Sequence, residues 1–306
     1  MFDAVPHQAS SRKLHHPVRE SHMTTSTNSA LKLSREARNE IAEKMATCPF
    51  IGAAVATGLL PVQHTSDNPL ATIEDVARLG DLGGGDLGTR VLKLFARGNH
   101  SRWIAPTIDI SPFVPSGMFS LHFGGSQGAH PGHSGILLDD PSKVGQGRLD
   151  QVQFDRLAGH ADQHGRLSID AVGDFIADSL KRDPESQVLP AWKIIKDTAR
   201  LLKECKDVLF GGDENEKTEA FEALTKLLGE DHLAGSAGEW GLLFAFLKNS
   251  PNSEDGDIAL SDVKAMFIDK RFPDGWDTWE KTALSWIKAT LRLTKDASFA
   301  YHAGWK

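Results

Sequence analysis

The residue pair Cys48–Pro49 is the feature of this sequence with the clearest chemical potential. A proline suits the first position of a helix, where its missing N–H leaves no hydrogen bond unmade, so Cys48 is predicted to precede a helix that runs through residue 57. The free N–H groups and the positive end of the helix dipole favour a thiolate there, and a thiolate is both a nucleophile and a metal ligand. Because Gly52 and Ala53 are small, a flat cofactor could approach the sulfur closely. The alternative is a buried, unreactive cysteine, since free cysteine is among the most buried residue types.

A second candidate is the carboxyl group of Glu239, which precedes the apolar segment WGLLFAFL. Ser236 stands three residues earlier, so the pair has the spacing of a capping box, in which the glutamate only caps the start of a helix. A carboxyl group in a partly apolar pocket can instead exchange protons in catalysis, because the pocket raises its pKa. His232, seven residues before Glu239, is either a surface residue or a partner of that carboxyl group.

Helical periodicity and helix start signals dominate the segments that carry these residues. Residues 104–149 are different, because they are rich in Gly, Pro, Asp and Ser, and only short strands are predicted there, at 108–110 and 118–123. The sequence therefore predicts a mainly α fold, with one helical domain over 31–306, a long irregular central segment and a disordered tail at 1–30. The predicted N-caps are Ser34, Thr72, Ser168 and Ser261, and the later helices are predicted at 192–205 and 277–293.

Composition and charge exclude several classes of protein. The chain has 306 residues and a net charge of −7, from 34 Lys and Arg against 41 Asp and Glu, so it lacks the basic excess of nucleic-acid-binding proteins. No apolar run approaches the roughly 18 residues of a membrane span, and no secretion signal is visible at the N-terminus. We therefore expect no nucleic-acid partner, no membrane span and a cytoplasmic location. Two cysteines, Cys48 and Cys205, exclude a disulfide scaffold and a four-cysteine metal site.

Two segments, 160–171 and 251–262, place a glycine at their sixth position, as calcium-binding helix–loop–helix motifs do. The first segment has His160 and Ala171 at its ends, and the second begins with Pro251, so carboxylates that calcium needs are missing from both. Each segment is interpreted as a turn followed by the start of a helix.

Two blocks of the sequence together resemble one known family. The first block consists of Cys48–Pro49, an Ala-rich segment, GLLP at 58–61 and Asn68–Pro69. The second begins with GEWGLLFAFL at 238–247 and ends with RFPDGW at 271–276. In their order and spacing, these blocks are similar to the proximal motif and to the later, glutamate-bearing block of the haem-thiolate peroxidases, the family of chloroperoxidases and unspecific peroxygenases.

The resemblance implies a chloroperoxidase-type helical fold and a haem b cofactor (iron protoporphyrin IX). Cys48 would be the axial ligand of the haem iron, with Pro49 and Ala53 against the cofactor, and an anionic thiolate favours cleavage of the O–O bond of peroxide. Glu239 matches the family's catalytic glutamate, which takes a proton from the peroxide and returns it to the leaving oxygen. His133 and His232 are expected to orient Glu239 or to stabilise its charge. The implied activity is the oxidation or oxygenation of a small organic substrate, or of halide, by hydrogen peroxide.

One departure from the family pattern concerns a metal ion. The family has an acidic triplet, Glu-His-Asp or Glu-Gly-Asp, whose acidic positions help to hold magnesium beside a haem propionate. Here the counterpart is Gly132-His133-Ser134, which retains the histidine alone. The sequence therefore does not favour a bound magnesium ion.

Three hypotheses stay open from the sequence. The first is a haem-thiolate peroxidase or peroxygenase, which the two blocks favour. The second is a non-catalytic haem-binding or sensing protein on the same scaffold, to which the altered triplet points. The third is a helical interaction module without haem. These motifs do not specify the substrate, the balance between oxygen transfer and electron abstraction, or the oligomeric state.

Overall fold

The part of the chain that the computed structural model describes comprises residues 33–44, 48–65, 68–83, 88–92, 118–120, 151–183, 186–211, 223, 227 and 231–303. These residues are mainly helical, as the sequence predicts. The predicted tail at 1–30, the strand predicted at 108–110 and almost all of the central segment 104–149 lie outside the described residues. No helix within the described residues combines the length and apolarity needed to cross a membrane.

The helices and strands are numbered here in chain order. The helices are α1 (Arg35–Lys44), α2 (Pro49–Ala56), α3 (Ile73–Gly80), α4 (Gln151–Gly159), α5 (Ile169–Arg182), α6 (Ala191–Gly211), α7 (His232–Leu247), α8 (Leu260–Phe267) and α9 (Ala283–His302). The strands are β1 (Gln63–Thr65), β2 (Asn68–Thr72), β3 (Met118–Ser120), β4 (Arg166–Leu167) and β5 (Ile258–Ala259).

The strands form two small antiparallel sheets. In the first, β2 lies between β1 and β3, with Leu70 opposite both Gln63 and Ser120. Strand β3 confirms part of the strand predicted at 118–123, whereas the β1–β2 hairpin was not predicted. This sheet connects the chain that follows α2 to the central segment.

The centre of the core is α7, which packs chiefly against α9 and also contacts α5. Every residue of α7 except His232 and Glu239 is buried, as expected for a helix that is apolar on all sides. Trp240 packs edge-on against Phe175 of α5 and stacks over Phe267 of α8. The mid-section of α7 is thereby fixed against three other helices.

Local start signals correctly predicted several helices. The side chains of Ser34, Thr72 and Ser168 accept hydrogen bonds from the third amide after each of them, at 3.2, 3.0 and 3.1 Å. The helix predicted at 192–205 lies within α6. Each of these signals is confined to one turn of chain, so packing elsewhere does not override it.

Two predicted helix starts are wrong. Helix α8 begins at Leu260 with Ala259 as its N-cap, so Ser261 lies inside the first turn, because the preceding residues pair in β5. The last helix begins at Ala283 rather than at 277. Its N-cap is Thr282, whose side chain accepts a hydrogen bond from the Ser285 amide at 3.2 Å. The residues at 275–278 form a turn instead, with Gly275 at a φ of 79°.

The two segments with calcium-like glycine spacing meet in the fold. Each forms a turn followed by a helix, as interpreted, and β4 pairs with β5 so that Leu167 lies opposite Ile258. Asp162 accepts hydrogen bonds from two backbone amides of its own loop, and Arg166 forms an ion pair with Glu254 across the two loops. This pairing joins α4 and α5 to α7 and α8, and thereby links the helices that surround Glu239.

The close approach of α7 to α9 yields a first prediction. A Cβ added at Gly241 would lie 2.2 Å from Thr290 Oγ1 and 3.0 Å from the Thr290 amide nitrogen. We expect Gly241→Ala to lower the free energy of unfolding by about 1–3 kcal/mol through overpacking, measured by urea denaturation.

The matched control is Gly159→Ala at the end of α4, where an added Cβ meets no atom within 4 Å. This variant should be neutral or slightly stabilising. Adding Thr290→Ala to Gly241→Ala should recover part of the loss, because it removes the closest contact. Equal effects of the two glycine substitutions would contradict the proposed close packing of α7 on α9.

Candidate functional site

Cys48 occupies the N-cap of α2 and Pro49 is the first helical residue, as predicted. The Cys48 carbonyl accepts a hydrogen bond from the Gly52 amide at 2.8 Å, which closes the first turn of the helix. The side chain is partly exposed and makes no cap hydrogen bond. Cys48 is therefore positioned by the backbone of α2 and not by bonds of its sulfur.

The protonation state of Cys48 differs from the expectation. Burial raises the pKa of the Cys48 thiol to about 11, although the nearby amides of Ile51 and Phe50 act in the opposite direction. The helix start thus lowers the pKa of Cys48, as predicted, but desolvation raises this pKa by more. The resting side chain is a thiol, which becomes a thiolate only when a partner displaces its proton.

An aromatic cluster holds the first turn of α2. It consists of Phe50, Phe246, Phe272 and Trp276, drawn from α2, from α7 and from the loop after α8. Phe50 stacks on Phe246 with ring centroids 4.9 Å apart, and it lies 5.6 Å from Phe272 and 6.1 Å from Trp276. The two sequence blocks that carry the family resemblance therefore pack directly against each other, two residues from Cys48.

Lys281 stabilises the loop that contains Trp276. Its ammonium group donates hydrogen bonds to the carbonyls of Trp276 and Trp279 and lies 4.5 and 5.0 Å from the centroids of their rings. The side chain is 5% exposed. Cation–π attraction and two carbonyl acceptors compensate the burial of this charge, so the loop has a fixed path beside the aromatic cluster.

The predicted capping box at Ser236 and Glu239 is wrong. Helix α7 begins at His232, and its N-cap is Asp231, whose side chain accepts a hydrogen bond from the Ala234 amide at 2.7 Å. Ser236 lies inside the helix and donates to the His232 carbonyl at 2.8 Å. The first part of α7 consists mainly of small residues, which pack closely in the core. This packing allows the chain before Ser236 to be helical, where the local pattern indicated a loop.

The observed start of α7 changes the interpretation of Glu239, because a carboxyl group in the middle of a helix does not cap that helix. Glu239 is partly accessible while its neighbours Gly238 and Trp240 are buried. Burial raises the pKa of Glu239 well above its ordinary value, and the charge of Glu239 contributes to raising the pKa of Cys48. The charge of Glu239 therefore acts on the Cys48 thiol, and both groups are desolvated yet retain accessible surface.

Lys270 belongs to the same region and was missed by sequence analysis. Its side chain is partly accessible, burial lowers the pKa of its ammonium group, and the charges of Glu43 and Cys48 oppose that effect. The one sequence signal is its place directly before the Arg271-Phe272-Pro273 motif. Lys270 lies beyond the end of α8, so the periodicity of that helix carries no signal for it.

The other predicted site residues are placed differently. Ala53 is fully buried by protein, and its carbonyl accepts a hydrogen bond from the Thr57 hydroxyl at 2.7 Å. His232 is the first residue of α7, about 10 Å along the helix axis from Glu239, and its Nδ1 accepts a hydrogen bond from the Gln187 amide at 3.1 Å. Burial lowers the pKa of His232, which favours the neutral ring. His133 lies outside the described residues.

Comparisons with protein-family models, with curated proteins and with solved structures found no match to this chain. The likeness to haem-thiolate peroxidases therefore rests on the residues quoted from the sequence. In the fold, Phe272 and Trp276 of the second block pack on Phe50 of the first. Within the described residues, no group of three or more His, Cys, Asp or Glu side chains could hold a metal ion.

The cap of α7 can be tested by two alanine substitutions. Asp231 accepts hydrogen bonds from the amides of Ala234 and Leu189, both at 2.7 Å, so Asp231→Ala should cost about 1–3 kcal/mol of unfolding free energy. Ser236→Ala should cost less than about 1 kcal/mol, because its hydroxyl shares the His232 carbonyl with the helix. Urea denaturation measures both values, and the reverse order would restore the capping box at Ser236.

The raised pKa of Glu239 predicts a pH-dependent stability. Between the ordinary pKa and the raised one, the unfolded chain releases the Glu239 proton more readily than the folded chain, so the wild-type protein loses stability as pH rises through this window. Glu239→Gln removes the ionisation, so its stability relative to wild type should increase from pH 5 to pH 8 in urea denaturation.

The matched control is Glu280→Gln, which replaces an exposed carboxyl group. Its stability relative to wild type over the same pH range is the reference for the effect at Glu239. If the two variants give the same pH series, Glu239 is solvated like a surface residue.

Proposed function

We propose that this chain is a haem-thiolate peroxidase or peroxygenase, in which Cys48 is the axial ligand of a haem b iron and Glu239 transfers protons at the same site. The observation that carries the proposal is the packing of the RFPDGW segment against the first turn of α2, because both family-like blocks then lie beside Cys48. The charge of Glu239 also acts on the Cys48 thiol, although the two residues come from distant parts of the sequence.

The chemistry of Cys48 fits the proposed cofactor. A cysteine sulfur is a soft donor of the kind that binds haem iron, and its partly exposed position at a helix start leaves one side open to a ligand. Because the thiol has a pKa of about 11, the iron must displace its proton, so haem affinity should increase with pH in the neutral range. When bound, the haem iron supplies the activation of hydrogen peroxide.

Glu239 is suited to hold and return a proton. A general acid or base works best when its pKa lies near the operating pH, and an ordinary carboxyl group is too acidic for this at neutral pH. Burial in the middle of α7 corrects that mismatch by favouring the neutral carboxyl group. In its ionised form, the carboxyl group would accept the proton of hydrogen peroxide, and the acid so formed would deliver that proton to the oxygen that leaves.

The proposed partners are hydrogen peroxide and a small organic substrate, or halide. Gly132 and Ser134 supply no carboxylate, so magnesium is not part of the proposal. His133, which lies outside the described residues, keeps its predicted role of orienting Glu239 or stabilising its charge, as does His232, whose described contacts tie it to Gln187 at the start of α7. Glu239 is the residue on which the catalytic test depends.

The axial ligand is tested by absorption spectroscopy of the haemin-reconstituted protein. The reduced protein with carbon monoxide should show the strongly red-shifted Soret band of a thiolate ligand. Cys48→Ala should abolish that band, whereas Cys205→Ala, the matched control, should keep it. A red-shifted band in Cys48→Ala would remove Cys48 from the site, and the absence of any haemin spectrum would favour an interaction module without haem.

The catalytic role is tested by turnover. Glu239→Gln should lower the peroxide-dependent turnover about 10²–10⁴-fold, the usual contribution of a general acid–base, while the carbonmonoxy spectrum stays unchanged. Stopped-flow absorption and product analysis measure the two effects. Haem binding with no turnover in the wild-type protein, and no change of rate in Glu239→Gln, would support the non-catalytic haem protein instead.

A further inference from the structure

Residues 186–190, called the strap here, connect α5 to α6 and contact the start of α7. The Gln187 amide donates a hydrogen bond to Nδ1 of His232 at 3.1 Å, and the Gln187 carbonyl accepts one from the His232 amide at 3.0 Å. His232 therefore binds both backbone groups of one strap residue, the amide with its ring and the carbonyl with its own backbone.

Leu189 is attached through both of its backbone groups as well. Its amide donates to the Asp231 carboxyl group at 2.7 Å, and its carbonyl accepts from Nε2 of His302, the last residue of α9, at 3.2 Å. The side chains of Val188 and Leu189 pack against the core. The strap thus covers part of the core, and two of its attachments depend on histidine rings.

These two rings respond differently to protonation. A neutral imidazole has one donor and one acceptor nitrogen, whereas a protonated imidazole has two donors. An amide only donates, so Nδ1 of His232 must be unprotonated to bind Gln187, and a proton on Nδ1 would set two N–H groups against each other. The Leu189 carbonyl only accepts, so Nε2 of His302 carries a proton in either charge state. Acid therefore breaks the first bond and preserves the second.

The charges around His232 determine the direction of the pH response. Burial lowers the pKa of His232, and the charge of Asp183, at the C-cap of α5, acts in the opposite direction. Asp231 precedes His232 in the chain, and the charge of Lys193 on α6 acts on Asp231. The carboxyl groups at 185 and 230, near in sequence, lie outside the described residues. Since burial has the largest effect, the attachment of Gln187 contributes stability above the ordinary histidine pKa and loses it as pH falls through the lowered pKa.

We propose that the strap is a pH-sensitive latch, which His232 holds closed at neutral pH and releases when its Nδ1 is protonated. Release frees Gln187 from α7, while Leu189 keeps its bond to His302. The connection between α5 and α6 therefore opens locally, and the helices on either side stay in place. This device uses no haem and does not depend on the proposed function.

Hydrogen exchange of the full-length protein tests the latch. NMR-detected exchange, corrected for the intrinsic rate, is followed from pH 8 to pH 5. The protection of the Gln187 amide should fall about tenfold for each pH unit between the ordinary and the lowered pKa of His232. The Leu243 amide, in the interior of α7, should keep its protection. Constant protection of Gln187, or a loss that Leu243 shares, overturns the inference without any variant.

Three variants assign the effect to one ring nitrogen. His232→Asn places an amide oxygen near the position of Nδ1, which accepts a hydrogen bond and does not titrate, so the protection of Gln187 should be constant from pH 8 to pH 5. His232→Ala removes the acceptor, so the protection should be low throughout. His302→Gln, the matched control, keeps a donor near the position of Nε2 and should reproduce the wild-type pH series. If His232→Asn loses protection at pH 5 as wild type does, His232 is not the switch and the inference is overturned.

Discussion

The stacking of Phe50 on Phe246 is the contact on which the rest of the site depends. Phe246 belongs to α7, the most buried helix of the described residues, so the first turn of α2 is anchored to a fully buried part of the core. Pro49 fixes the direction in which α2 begins, and Phe50 fixes how deeply the first turn of α2 packs against α7. Cys48 precedes both residues and makes no cap hydrogen bond of its own, so its position follows from theirs. Without this contact, the thiol would be a feature of a loop and would have no defined distance from Glu239.

How much of this could be predicted from the sequence depends on the range of each interaction. Ser34, Thr72 and Ser168 cap helices through one turn of chain, and the Cys48–Pro49 helix start is equally local, so these predictions are confirmed. Ser236 and Glu239 had the right spacing for a cap, but the packing of small residues in α7 extended the helix back to His232. The pairing of β4 with β5 joins loops about 90 residues apart, and no local pattern contains it.

The candidate site shows the same difference between local features, which the sequence predicts, and contacts between distant segments, which it does not. Two of its groups, Cys48 and Glu239, have residue types that invite attention, and the family resemblance ties them to one chemistry. Their meeting depends on α7 packing beside the loop that follows α8, which requires the whole fold. Lys270 could not be found at all, since its left-handed conformation and the effect of its charge on Cys48 exist only after the chain has reversed at the end of α8. Interactions between distant segments carry no signal in the period or capping pattern of either segment.

Desolvation favours the uncharged form of all three ionisable groups of the site, Cys48, Glu239 and Lys270. It favours the protonated thiol of Cys48, the protonated carboxyl group of Glu239 and the neutral amine of Lys270. A core that only needed to be stable would gain by replacing these groups with apolar side chains, as α7 does at every neighbouring position. Their retention at one place is therefore informative, since ionisable groups shifted by burial are concentrated at functional sites.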